Sequence, residues 1–171
     1  DVVKSVEMLR TVKDNPFFAC DIIAGFPGET DEDFEQTMDL CQKCGFAYVH
    51  AFPFSARPGT AAYSMKNKVP QNIAGERVKR LTQFANQSKI QYIDSYKGKV
   101  VEAVAETVKH PAVMAGAVRV VHAVSDNFLH CEIQCTGICP KPGDAVNVRI
   151  IRPLEDLIRN GAELEAEAEL V

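Results

Sequence analysis

An apolar stretch, a glycine-proline turn and a capped helix follow one another early in the chain, and this order constrains the fold most. Residues 17–24 are almost continuously apolar, as in a strand that is covered on both faces in a parallel sheet. The chain then turns at 25–28 (Gly-Phe-Pro-Gly), and Thr30 with Asp33 forms a capping-box pattern at the start of a helix. A second apolar stretch follows at 46–54. Strand, helix and strand joined by short turns predict a βαβ unit with two parallel strands.

Two parallel strands are too few to make a stable sheet, so we expect the remaining strands to lie outside this sequence. The first residues, Asp-Val-Val-Lys, lack a starting Met and lack the basic-then-apolar layout of a signal peptide. Residues 1–13 and 70–97 have the apolar periodicity of helices. We therefore interpret the chain as a fragment of a longer protein, which begins within a helix and contains one long helix near its middle.

The second half of the chain has a different pattern, in which short β-rich segments alternate with turn signals such as His110-Pro111 and Asn160-Gly161. Five short strands at this spacing favour a small antiparallel barrel of the oligonucleotide-binding (OB) kind. We predict two domains, an α/β domain at 1–97 and an all-β domain at 98–171. The five predicted strands are 100–106, 117–124, 127–135, 145–151 and 164–171.

Composition and charge limit the possible partners. Of the 171 residues, 46% are hydrophobic and 25% are charged, which suits a globular protein. No run of about 18 apolar residues occurs, so we expect no membrane-spanning helix and no membrane partner. The formal net charge is −4, and residues 98–171 carry 7 basic and 11 acidic side chains. Any contact of this half with nucleic acid must therefore use a local basic patch.

The six cysteines are expected to be free thiols in a reducing compartment, because the chain is long enough to form an ordinary core. Cys41 and Cys44 share one face of the predicted helix and are interpreted as buried core residues. Cys131 and Cys135 lie on one face of a predicted strand, and Cys139 falls in the turn that follows. An iron–sulfur cluster needs thiolates that converge from a shaped loop, so we predict no metal ligands in this chain.

Two turns at predicted strand ends are the candidate ligand sites, since ligands of α/β proteins bind at the carboxyl ends of the strands. The first is the Gly-Phe-Pro-Gly turn at 25–28, which could equally be an ordinary tight turn. The second is the segment 50–60, where Pro53 interrupts a strand. Arg57 in this segment is a candidate for binding phosphate or carboxylate, or else a surface arginine of a turn.

Four segments together resemble the radical S-adenosylmethionine methylthiotransferases. They are Asp-Ile-Ile-Ala-Gly-Phe-Pro-Gly-Glu-Thr at 21–30, His-Ala-Phe-Pro-Phe-Ser-Ala-Arg-Pro-Gly-Thr at 50–60, Val-Pro at 69–70 and Glu-Arg-Val-Lys-Arg-Leu at 76–81. Residues 98–171 resemble, more weakly, the small RNA-binding TRAM domain that ends these enzymes. The resemblance implies the end of a radical S-adenosylmethionine (β/α) barrel followed by a small all-β, OB-like TRAM barrel. It also implies that an N-terminal part of the same polypeptide is missing here.

The resemblance implies that S-adenosylmethionine lies against the first turn and that the backbone of the second strand end faces its adenine. On matching positions the cofactor-binding residues are Gly25, Phe26, Gly28, Phe52, Pro53, Phe54 and Ser55. The full-length parent would hold two 4Fe-4S clusters. The Cys-x3-Cys-x2-Cys ligands of the radical cluster do not occur in this sequence. The resemblance therefore implies an enzyme whose fragment, with no catalytic residues of its own, is inactive alone.

The implied substrate is tRNA. The form of the 50–60 segment is most similar to the enzymes that methylthiolate threonylcarbamoyladenosine beside the anticodon, in the cytoplasm. Open alternatives are the isopentenyladenosine type, the type that modifies a ribosomal-protein aspartate, a non-catalytic RNA-binding module and a purely structural fragment. Phe128 is a candidate for base stacking, or equally a core residue. The candidate substrate-binding residues are Arg57, Arg119, Asn127, Phe128, Lys141 and Arg149.

Overall fold

The computed structural model describes residues 1–109 and 119–171. It divides into two compact units, Asp1–Ser88 and Lys89–Val171, which we describe separately. The predicted turn at His110-Pro111 and the first two residues of the predicted strand 117–124 lie outside the described residues. The predicted domain boundary after residue 97 stays a prediction. None of the described helices is long and apolar enough to cross a membrane.

The first unit contains the predicted βαβ arrangement. Strands β1 and β2 pair in parallel, with Ala24 beside Pro53 at their carboxyl ends. Thr30 and Asp33 form the predicted capping box, and helix α2 ends at Gly45 in the left-handed conformation with φ 55°. The elements are α1 (Val2–Val12), β1 (Ala19–Ala24), α2 (Asp31–Cys44), β2 (Tyr48–Pro53), α3 (Ala61–Ser64) and α4 (Gln71–Asp94), of which α4 continues into the second unit.

Only one face of this two-stranded sheet is covered in the described structure. Phe34 from α2 and Leu81 from α4 pack with Val49 of β2 in a hydrophobic core. On the opposite face Ile23 is 56% exposed and Phe52 is 49% exposed. The expectation that both faces are covered is therefore wrong for the described residues, because the apolar side chains of β1 alternate between the core and an open face.

Cys41 and Cys44 are fully buried in this core, as predicted. Burial raises the pKa of Cys41 to about 12, and the neighbouring thiols of Cys20 and Cys44 add to the shift. Burial likewise raises the pKa of Cys20 to about 11. These thiols stay protonated at neutral pH, which suits packing rather than metal binding or nucleophilic chemistry.

The second unit is a closed five-stranded barrel with the strand order β3-β4-β5-β7-β6, which confirms the predicted small barrel. One pair, β5 with β7, is parallel, whereas the prediction was wholly antiparallel. Five strands in a closed ring cannot all alternate in direction, so at least one neighbouring pair must be parallel. The elements are β3 (Val100–Lys109), β4 (Arg119–Ser125), β5 (His130–Cys135), β6 (Ala145–Pro153), α5 (Glu155–Arg159) and β7 (Ala166–Leu170), and α5 had not been predicted.

Two of the six cysteines form a disulfide, so the prediction of six free thiols is wrong for this pair. Cys135 ends β5, and the following turn through Gly137, at φ 79°, returns the chain so that the Cα atom of Cys139 lies 5.8 Å from that of Cys135. Cys131 points into the barrel core, where burial raises its pKa to about 12. Two of the three sulfurs are bonded to each other, so the segment does not present three thiolates to a metal.

Candidate functional site

The turn between β1 and α2 is held in a fixed shape by its own backbone. Gly25 and Gly28 have φ values of 81° and 93°, which residues other than glycine rarely adopt. The amide of Glu29 donates to the carbonyl of Phe26 at 2.9 Å. The amide of Gly28 donates to the carbonyl of Asn67, also at 2.9 Å. The turn is therefore tied both to itself and to the loop that precedes α4.

The two glycines of this turn have different surroundings. A Cβ atom on Gly25 would lie 2.5 Å from the Cβ of Ala74 in α4, so a helix packs directly on this backbone. A Cβ on Gly28 would meet no atom within 4 Å. Gly25 is thus required for packing within the protein, and only Gly28 leaves open space beside the backbone.

A buried arginine joins the turn to α4. Glu29 Oε2 accepts hydrogen bonds from the Gly25 amide and from Arg77 Nη1, both at 2.5 Å. Arg77 Nη2 donates to Asp31 Oδ1 at 2.7 Å, and the guanidinium lies 5.5 Å from the centre of the Phe34 ring. Desolvation opposes the charge of Arg77, but the hydrogen bonds that it donates to Asp31 and Glu29 raise its pKa. Arg77 therefore remains charged and fixes the Glu29 carboxylate.

Sequence analysis did not identify this ion-paired group of Glu29, Asp31 and Arg77 as a site feature. The available signal was the acidic first turn of α2 together with an arginine in the 76–81 segment. Charge complementarity between two helices cannot be read from a sequence until their packing is known.

The end of β2 meets the first turn. The Phe54 amide donates to the carbonyl of Ala24 at 2.8 Å, and the rings of Phe26 and Phe54 make an edge contact with centres 5.1 Å apart. Gln71 Nε2 donates to the carbonyl of Phe54 at 3.4 Å. The structure thus brings together the two segments that the sequence singled out.

The open face of the sheet carries exposed aromatic side chains. Phe52 lies beside Ile23 in the paired strands, and the rings of Phe52 and His50 are nearly parallel, 7° apart with centres separated by 6.4 Å. Pro53 follows at the end of β2 and is exposed. A planar ring could stack on this surface without displacing core side chains.

Ser55 and Arg57 lie just beyond the strand end and are exposed. The main-chain carbonyl of Arg57 accepts hydrogen bonds from Thr60, at 3.3 Å from the amide and 2.8 Å from the hydroxyl. The backbone at Arg57 is therefore fixed in a turn while its side chain faces solvent.

In the second unit the predicted RNA-binding residues Arg119 and Phe128 lie at opposite ends of β4. Arg119 begins β4, whereas Asn127 and Phe128 lie in the turn at the other end of that strand, roughly 20 Å away for seven residues at about 3.3 Å each. Phe128 is 68% exposed, so the alternative that it belongs to the core is wrong. Asn127 accepts from the Ser125 hydroxyl at 2.5 Å, which fixes the turn.

The other two predicted cations differ in their contacts. Arg149 Nη1 donates to Glu169 Oε1 at 2.6 Å, which offsets its charge. The Lys141 amide donates to Asp144 Oδ2 at 2.8 Å and closes the turn before β6. The ion pair with Glu169 therefore weakens Arg149 as a phosphate contact, whereas the bond at Lys141 involves only its backbone.

Comparison with known proteins gives close relatives. The chain is 40% identical over 151 residues to the threonylcarbamoyladenosine tRNA methylthiotransferase MtaB of Treponema pallidum, a match that covers 88% of this chain and 29% of the relative. It is 41% identical over 119 residues to a tRNA-2-methylthio-N(6)-dimethylallyladenosine synthase of Bacillus thuringiensis, a match that covers 67% of this chain and 23% of the relative. The chain belongs to the methylthiotransferase family. It spans less than a third of the length of these curated relatives. No protein-family model matches the chain.

The strand ends of this methylthiotransferase chain fit part of an S-adenosylmethionine molecule. The exposed ring of Phe52 is available for stacking with a purine ring, and Gly28 leaves room beside the backbone. The Oε2 atom of Glu29 accepts from the Gly25 amide and pairs with Arg77, so this oxygen is used within the protein. The exposed aromatic side chains and the open backbone at Gly28 are thus compatible with the adenosine part of the cofactor.

Proposed function

We propose that this chain is the C-terminal part of a tRNA methylthiotransferase that modifies threonylcarbamoyladenosine next to the anticodon. The observation that carries this proposal is the 40% identity over 88% of the chain to a relative named for that nucleoside. The first unit would be the end of the radical S-adenosylmethionine barrel and the second unit its TRAM domain. The full-length protein would act in the cytoplasm, where tRNA is modified.

In this proposal the first unit positions the cofactor. Phe52, Pro53, Phe54 and Ser55 would face the adenine, and the Gly25–Gly28 turn with Phe26 would lie along the rest of the nucleoside. The ion pair of Glu29 with Arg77 supports this role, because it joins the turn to α4 and keeps the backbone of the turn rigid. A 4Fe-4S cluster would supply the electron that cleaves S-adenosylmethionine, and the residues of this unit would orient the cofactor.

Both 4Fe-4S clusters would be held by the part of the polypeptide that precedes this sequence. The isolated chain should accordingly be inactive, although it retains the adenosine-facing surface. In the second unit Phe128 is the best-supported RNA contact, because its ring is exposed at a turn that hydrogen bonds hold in shape. Arg57, Arg119, Asn127, Lys141 and Arg149 complete the proposed tRNA-binding set.

A second substrate has a specific observation in its favour. The match to the relatives named for dimethylallyladenosine is 41% identical, although it covers only 67% of the chain. The longer match to the threonylcarbamoyladenosine relative includes more of the chain, which favours that nucleoside.

The test is nucleoside analysis by mass spectrometry of total tRNA from cells that lack the full-length gene. We expect the methylthio group to disappear from threonylcarbamoyladenosine alone. Its disappearance from the dimethylallyl nucleoside would instead assign the protein to that type. If both nucleosides kept the group, the tRNA substrate would be wrong, and a non-catalytic RNA-binding role or a protein substrate would have to be tested.

A further inference from the structure

Three side chains with metal-binding atoms converge on the second unit, outside the proposed cofactor site. Glu106, His130 and Glu163 each place one ligand atom within 4.8 Å of those of the other two. They come from three separate segments: β3, the start of β5 and the loop before β7. The sequence does not suggest this group, because the number of residues between Glu106 and Glu163 is more than half the length of the unit.

Backbone contacts hold the three segments in place. Glu106 is the extra residue of a β-bulge, since Ala105 pairs with Ala123 and Thr107 with His122. The amide of Glu165 donates to the carbonyl of His130 at 2.9 Å, which anchors the loop carrying Glu163 beside β5. The relative positions of the three side chains therefore depend on barrel hydrogen bonds.

Four other glutamates of this unit are already paired with cations. In the described part of the chain, Glu155, Glu165, Glu167 and Glu169 each form an ion pair with a lysine or arginine. None of the ion pairs between described side chains involves Glu106 or Glu163, and their carboxylate oxygens lie within 4.8 Å of each other and of an imidazole nitrogen of His130. Two carboxylates this close repel each other unless a cation lies between them.

We propose that Glu106, His130 and Glu163 bind a divalent transition-metal ion. One imidazole nitrogen and two carboxylate oxygens are a donor set that zinc, cobalt and manganese accept. Ligands at about 2.1 Å from a tetrahedral ion are about 3.4 Å apart, so small side-chain rotations from the present separation complete the site. Two carboxylates and a divalent ion sum to zero charge, and three protein ligands leave a position for water.

The experiment is a titration of the full 171-residue chain, without a histidine tag, with Co²⁺ followed by visible absorption. We expect one ion per chain, with no sulfur charge-transfer band because the ligands are nitrogen and oxygen. His130→Ala, Glu106→Gln and Glu163→Gln should each weaken binding at least about tenfold, since loss of even an outer-shell partner costs a metal site about 10–100-fold. Zn²⁺ should displace the bound Co²⁺.

The matched control uses His122 and Glu132, which are paired with each other across β4 and β5 but lie outside the group. His122→Ala and Glu132→Gln should leave the affinity unchanged, and circular dichroism should show every variant folded. The proposal is overturned if the unaltered chain binds no ion, if the control variants weaken binding as much as His130→Ala, or if a sulfur charge-transfer band appears. It does not depend on the proposed tRNA function.

Discussion

The contact between Gly25 and Ala74 makes a quantitative prediction about the first turn. In Gly25→Ala the new Cβ would lie 2.5 Å from the Cβ of Ala74 and 3.3 Å from its Cα, at a backbone φ of 81°. The left-handed conformation costs an alanine about 1–2 kcal/mol. Overpacking against α4 adds about 1–3 kcal/mol. We therefore expect a loss of about 2–5 kcal/mol in the free energy of unfolding.

Gly28→Ala is the matched control, because its φ is 93° and a Cβ there meets nothing within 4 Å. It should lose only the conformational part, about 1–2 kcal/mol. The assay is unfolding in urea, monitored by the far-ultraviolet circular dichroism signal of the helices. This signal reports mainly on the first unit, which holds α1, α2, α3 and most of α4.

A double variant separates steric overlap from backbone strain. Ala74→Gly costs about 1 kcal/mol by itself, since glycine is a poor helix former. In the Gly25→Ala and Ala74→Gly double variant the overlap of the two Cβ atoms is gone, so the combined loss should be smaller than the sum of the single losses by about 1–3 kcal/mol. Additive losses, or equal losses for Gly25→Ala and Gly28→Ala, would refute the close approach of α4.

Three further changes test other contacts. Arg77→Met leaves the Glu29 carboxylate buried without a charge partner and should cost about 3–5 kcal/mol in urea unfolding, with Arg77→Lys restoring little of it. Lys89→Met leaves the buried carboxylate of Glu165 without its charge partner, so the amides of the barrel should exchange hydrogen faster. Adding Glu165→Leu removes the unpaired charge and should recover stability. Hydrogen bonds from Thr30 lower the pKa of Asp33 below 3.8, so its contribution is present above that pH and is lost as the pH falls through the lowered value. In Asp33→Asn the helical circular dichroism signal should therefore depend less on pH in the acid range. The same pH dependence as in the unaltered chain would contradict this assignment.

The βαβ unit and the barrel could be predicted because their signals are local. The Thr30 and Asp33 capping box and the stop at Gly45 are set by neighbouring residues, and the structure has both. The exposed face of β1 could not be predicted, because a continuous apolar run looks the same whether a strand is covered once or twice. The parallel pair of β5 and β7 follows from closing an odd number of strands, which no local pattern encodes.

The candidate site was predictable only in part for the same reason. The segments at 25–28 and 50–60 could be chosen from strand ends and turn residues, and the structure brings Phe26 and Phe54 into contact. The ion pair of Arg77 with Glu29 spans 48 positions and depends on how α4 packs. The disulfide of Cys135 with Cys139 depends on a turn at Gly137 that alternation along a strand does not reveal.

The central claim is that the open face at the end of β2 contacts the cofactor of a tRNA methylthiotransferase, and Phe52 tests it most directly. Phe52 is 49% exposed, so Phe52→Ala should leave the fold intact, and Met8→Ala, at a position 64% exposed on α1, is the control. Each variant of the full-length gene would be returned to cells that lack it, and the methylthiolated fraction of threonylcarbamoyladenosine in tRNA measured by mass spectrometry. We predict that Met8→Ala restores the modification and that Phe52→Ala, at equal protein level, does not. Full restoration by Phe52→Ala would contradict the proposed cofactor site.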